Sequence, residues 1–70
     1  MSRIEGWKIR NTLDGNYDII GSLYDDDRTE DGNLIITSNI RWINFEDKVA
    51  KTKNTLYKLG KPAKEETNED

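Results

Sequence analysis

The triplet Asp-Gly-Asn occurs twice in the first half of this 70-residue chain, at Asp14-Gly15-Asn16 and at Asp31-Gly32-Asn33, each time between stretches that alternate apolar and polar residues. Asp-Gly is a strong hairpin signal, because a type I′ turn needs positive backbone dihedrals that Gly adopts freely and Asp tolerates. Two such turns in so short a chain predict an all-β domain of short antiparallel strands, too small to enclose a deep catalytic cleft. Each triplet has a Thr two residues upstream and an Ile-Ile pair downstream. That pattern admits an internal duplication, but shared turn chemistry accounts for it more simply.

Period-two patterning supplies the strands. Trp7, Ile9 and Leu13 fall on one parity against Lys8, Arg10 and Thr12, which gives a first strand. Tyr17, Ile19, Gly21 and Leu23 share a face of a long second strand, with Ile20 and Tyr24 opposite and Gly21 marking a bulge or bend. Leu34 to Thr37 reads as a short strand buried on both sides. From Ile40 to Phe45, Ile40 and Trp42 are expected to oppose Ile43 and Phe45. Val49 to Thr52 and Thr55 to Leu59 bracket Lys53-Asn54, a two-residue hairpin in which Asn takes the left-handed conformation.

The pattern predicts a small SH3-like β-barrel, or a curled antiparallel meander of five to six strands, over residues 1–60. An OB-fold ranks second, since it needs more residues and an intervening helix. Beyond Gly60, residues 61–70 contain no large apolar side chain and read as a disordered acidic tail. Seventy residues bury only about 60% of the surface an unfolded chain exposes, so every large apolar residue is presumed structural first. Trp7, Trp42, Tyr17 and Phe45 are therefore assigned to the interior.

Residue types then narrow the chemistry. The chain has no Cys and no His, which removes disulfides, thiolate or imidazole metal sites, and the side chain best suited to proton transfer near neutral pH. Asp27-Arg28-Thr29-Glu30-Asp31-Gly32 resembles the first half of an EF-hand loop, but Ser38 occupies the position of the bidentate Glu. Carboxylates on a hydrated loop have no dry pocket to raise a pKa for acid–base work. No catalytic residue, metal or cofactor is predicted, and the chain is read as a non-enzyme. It has no apolar run long enough to span a membrane and no signal-peptide pattern at its start, so a cytoplasmic setting is expected.

Net charge is −3, yet its distribution is uneven. Residues 11–40 hold Asp14, Asp18, Asp25, Asp26, Asp27, Glu30 and Asp31 against Arg28 alone, whereas residues 41–64 hold Arg41 and six lysines against Glu46 and Asp47. Such segregation steers partners. One candidate surface is the acidic loop: Tyr24, Asp25, Asp26, Asp27, Glu30 and Asp31 would enter a basic pocket on another protein, with Tyr24 as the aromatic anchor. The alternative is a basic face of Arg41, Lys48, Lys51, Lys53 and Lys58 that neutralises phosphates of a nucleic acid beside an aromatic ring. The small core also makes a homodimer plausible.

Thr37-Ser38-Asn39-Ile40, followed by Val49-Ala50-Lys51-Thr52-Lys53-Asn54-Thr55-Leu56-Tyr57-Lys58-Leu59-Gly60, resembles small uncharacterised β-barrel proteins encoded by bacteria and their phages. There, a strand ending in Thr-Ser-x-Ile precedes a hairpin of the form Val-x-Thr, turn, x-Tyr-x-Leu-Gly. The resemblance covers about a third of the chain and brings no catalytic residues. It implies a phage or mobile-element setting, in which a short acidic protein binds and modulates a host protein.

Overall fold

The computed structural model describes residues 1–64. They form six strands and no helix: β1 (Ser2–Asn11), β2 (Tyr17–Tyr24), β3 (Asn33–Ile36), β4 (Ile40–Asn44), β5 (Val49–Thr52) and β6 (Leu56–Leu59). All six belong to one sheet in the order β3-β2-β1-β6-β5-β4. Two antiparallel meanders, β1–β3 and β4–β6, thus meet at a parallel seam between β1 and β6, where Ile4 lies opposite Leu59.

This corrects the expected continuous meander and the closed barrel. β3 and β4 sit at opposite ends of the hydrogen-bonded order, yet only Thr37, Ser38 and Asn39 join them. A link that short spans at most about 14 Å, so the sheet has to curl until the end of β3 comes near the start of β4. At this corner the link residues bond back to their own halves of the sheet. Thr37 N–H donates to the Ile19 carbonyl (2.9 Å) and the Asn39 carbonyl accepts from Lys53 N–H (3.1 Å). The result is a curled sheet with a gap where a barrel would have its last ladder.

Both Asp-Gly-Asn turns form, by a different route from type I′. Among the described residues only Asp25 and Lys48 have positive φ apart from glycines, whereas Gly15 (φ 85°) and Gly32 (φ 92°) are left-handed. In the first turn Gly15 N–H donates to the Thr12 carbonyl and Thr12 N–H to that of Asn16, a three-residue hairpin loop in which Gly alone supplies the left-handed step. The two triplets link different strand pairs of a single meander, and nothing in the topology repeats around them. At Lys53-Asn54 the turn closes through Thr52 N–H to the Thr55 carbonyl without a left-handed Asn.

The core consists of Ile4, Ile19, Leu23, Ala50, Tyr57 and Leu59, with Trp7, Ile35, Ile40 and Ile43 packed against it. Ile4 lies outside the strand expected from Trp7 onward. The bend expected at Gly21 falls instead on the partner strand, where the β1–β2 register shifts between Glu5 and Lys8. Gly21 is nevertheless required: a Cβ there would run into the Ile4 side chain and the Trp7 Cα. Past Gly60 the backbone stays beside β1, with Lys61 carbonyl accepting from Gly6 N–H (2.7 Å) and Ala63 N–H donating to the Trp7 carbonyl (2.9 Å). The remainder of the expected tail, 65–70, lies outside the described residues.

Candidate functional site

The acidic loop between β2 and β3 spends much of its charge on itself and on β1. Asp25 accepts from Arg3 (2.7 Å), and its own N–H donates to Asp31 (3.0 Å). Asp26 receives both the Arg28 guanidinium (2.8 and 2.6 Å) and the Ser2 hydroxyl (2.7 Å). Arg28, then Ser2, holds the Asp26 carboxyl well below the usual carboxylate range, while Asp26 raises Arg28 in turn. Tyr24 packs under the Arg3 guanidinium, 4.9 Å from the ring centroid. Of the five carboxylates in this candidate surface, Asp27 and Glu30 are exposed and have no hydrogen-bonded partner among the described residues.

The same pattern extends through the first half of the chain. Arg3 also pairs with Glu5 (2.6 Å), and Arg10 grips Asp18 with two bonds of 3.0 Å. Glu5 is held below its ordinary range, first by the Lys61 N–H and then by Arg3. Every ion pair among the described residues involves Arg3, Arg10 or Arg28.

The basic residues of β4–β6 are placed differently. Arg41, Lys48, Lys51, Lys53 and Lys58 have no carboxylate partner among the described residues. Register sets their positions. Trp42 lies opposite Lys51, and Lys51 opposite Leu56, so these three form one row across the face turned away from the buried Ala50 and Thr52. Arg41 and Lys53 converge on a polar cleft of about 320 Å³ with Asn16 and Asn39. Lys58 lies one row further along, opposite Val49, with Lys48 in the adjoining turn. The five cations thus divide into Lys51 opposite Trp42, Arg41 and Lys53 on the polar cleft, and the separate pair Lys48 and Lys58.

Three of the four rings expected in the interior lie largely outside it. Trp42, Tyr17 and Phe45 are 50%, 53% and 59% exposed. The cause at Trp42 is a register shift between Ile40 and Trp42, which lets both Ile40 and Ile43 face the core and turns Trp42 to the opposite side from that expected. Tyr17 and Phe45 line an apolar cleft of about 360 Å³ with Ile9, Ile40, Trp42 and Ile43, and Arg41 stands on its wall as well as on that of the polar cleft. Trp7 alone of the four stays half-buried, its Nε1–H donating to the Gly60 carbonyl (2.9 Å) while its ring stacks with Phe45 at 6.3 Å. One signal was available: apolar residues three apart, at Ile40 and Ile43, cannot both face inward along an unbroken strand.

Among the described residues no three acidic side chains converge as a metal site requires, and no helix is long and apolar enough to cross a membrane. No protein-family model, curated protein or solved structure matches the chain.

Proposed function

We propose that the protein is a non-enzymatic binding module whose β4–β6 half takes up single-stranded nucleic acid. The carrying observation is that Arg41, Lys51 and Lys53 have no carboxylate partner among the described residues, Lys51 lying opposite a half-exposed Trp42 and Lys53 sharing the polar cleft with Arg41, with Tyr17 and Phe45 on the adjoining cleft. Cations that lack protein partners are available to phosphates, and an exposed ring offers a stacking platform to any base. The acidic loop does not cancel this attraction. It adjoins Tyr24, which pairs with Arg3, whereas Tyr17 pairs with Asn11. From residue 3 to residue 11 an extended strand rises about 25 Å, some three times the screening length of about 8 Å at physiological salt.

A protein-facing reading rests on Asp27 and Glu30, the two exposed loop carboxylates that have no hydrogen-bonded partner among the described residues. In a phage or mobile-element setting, with a cytoplasmic host protein as target, they would enter a basic pocket. Fluorescence anisotropy with a labelled single-stranded oligonucleotide separates the two. The nucleic-acid reading predicts saturable binding at low salt that charge reversal at Lys51 and Lys53 removes and Asp27→Asn with Glu30→Gln leaves intact. No detectable binding at low salt defeats it.

A further inference from the structure

We infer that β3 pairs along its free edge with β3 of a second copy of this chain, antiparallel and centred on Ile35. β3 ends the sheet order and has β2 as its only partner among the described residues. Its register puts Ile36 opposite Ile20 and Leu34 opposite Ser22, while Thr37 N–H donates to the Ile19 carbonyl. Bonding in an antiparallel ladder alternates. The backbone groups of Ile35 and the N–H of Thr37 therefore turn toward β2, Gly32 N–H reaches the Leu23 carbonyl while Asn33 N–H folds back to that of Glu30, and the N–H and C=O of Leu34 and Ile36 point outward along the free edge. A two-fold axis through Ile35 brings Leu34 opposite Ile36 of the second copy, and all four outward groups on each strand find partners.

The side chains fit the same operation. Leu34 is 70% and Ile36 56% exposed, corrections to the expectation of a strand buried on both sides. In the paired arrangement Leu34 covers Ile36 of the other copy, and the contact closes as an isologous dimer. Charge selects the direction. Antiparallel pairing sets the flank carrying Glu30 and Asp31 against the second copy's flank of Ser38, Asn39 and Arg41, whereas parallel pairing would lay the two acidic loops side by side.

The opposite edge of the sheet is guarded. β4 carries a register irregularity at Arg41 and a cation there, both devices that discourage edge pairing. Asn33-Leu34-Ile35-Ile36 has no charge, no proline and no bulge.

Sedimentation of the full chain from about 10 µM to about 1 mM at physiological salt tests this. The expected result is a reversible monomer–dimer equilibrium that Leu34→Lys weakens at least about tenfold, with Trp42→Ala unchanged. Ile36→Pro should have the same effect as Leu34→Lys, because it removes only an outward N–H. Hydrogen exchange on the unaltered chain keeps the test independent of how the variants fold: the Leu34 and Ile36 amides should gain protection as concentration rises. A monomer throughout, a dimer indifferent to both edge variants, or edge amides whose exchange ignores concentration would each overturn the inference.

Discussion

The β1–β3 half and the β4–β6 half of this sheet handle charge in opposite ways. In the first, Arg3, Arg10 and Arg28 are bound to Glu5, Asp25, Asp18 and Asp26, and the acidic loop is laced to β1 by Ser2 and Arg3. In the second, five cations stand without carboxylates among the described residues, beside rings that the fold leaves half outside. The contrast teaches that local charge density is a poor guide to a binding surface. The densest run of like charge in the chain is mostly occupied in shaping its own loop, and the sparser basic region is the one without carboxylate partners among the described residues.

The contrast is broken most severely through the core. Ile19, fully buried in β2, should lose about 2–5 kcal/mol of stability on substitution by Ala, measured by urea denaturation. Trp42→Ala should cost less than about 1 kcal/mol in the same experiment, because half the ring already faces solvent. The order reverses for ligand. Trp42→Ala should weaken oligonucleotide binding by about 1–3 kcal/mol, the loss of one stacked base, and equal affinities of the two proteins would remove Trp42 from the site.

A smaller effect compares two strained residues, one in each half. Asp25 and Lys48 have nearly the same left-handed φ, 62° and 58°. Lys48→Gly should raise stability by about 0.5–1 kcal/mol by relieving that conformation. Asp25→Gly should not, since it also deletes the Arg3 partner; a gain at both positions would show that the Arg3 pair does nothing.

The smallest expected effect is on the acid limb. Glu5, Asp14 and Asp26 are held below their ordinary values, by the Lys61 N–H, the Thr12 hydroxyl and Arg28 respectively. A carboxyl with a lowered folded-state pKa contributes stability that is complete above its unfolded value near about 4 and lost as pH falls through the folded value. Melting temperature should therefore be flat above about pH 5 and decline below about pH 4, with Asp26→Asn shallower than the parent. All three groups lie on β1 or the loops of the first half, so the decline reports on that half.

How much of this was legible in the residues depends on which force sets each feature. Local turn chemistry and alternation announced five to six strands and the face of Ile19, Gly21 and Leu23. Features set by distant partners did not announce themselves. Ile4 reads as a lone apolar residue among Arg3, Glu5 and Gly6 until β6 packs alongside it. The parallel seam pairs residues more than fifty positions apart, and no local pattern encodes it. For the site, sequence found Arg41, Lys51 and Lys53 by composition, yet assigned Trp42, Tyr17 and Phe45 to a core that has no room for them. The bulge beside Arg41 has no Gly or Pro to mark it, and it alone decides which side of the sheet Trp42 occupies.

The most direct measurement is a salt titration of single-stranded oligonucleotide affinity. If three to five cations of β4–β6 engage phosphates, log K against log salt should fall with a slope of about −2 to −3.5, and Lys51→Gln should make that slope shallower by about 0.7. Affinity independent of salt, or a slope that neutralising Lys51 leaves unchanged, would contradict the assignment of these cations to the ligand.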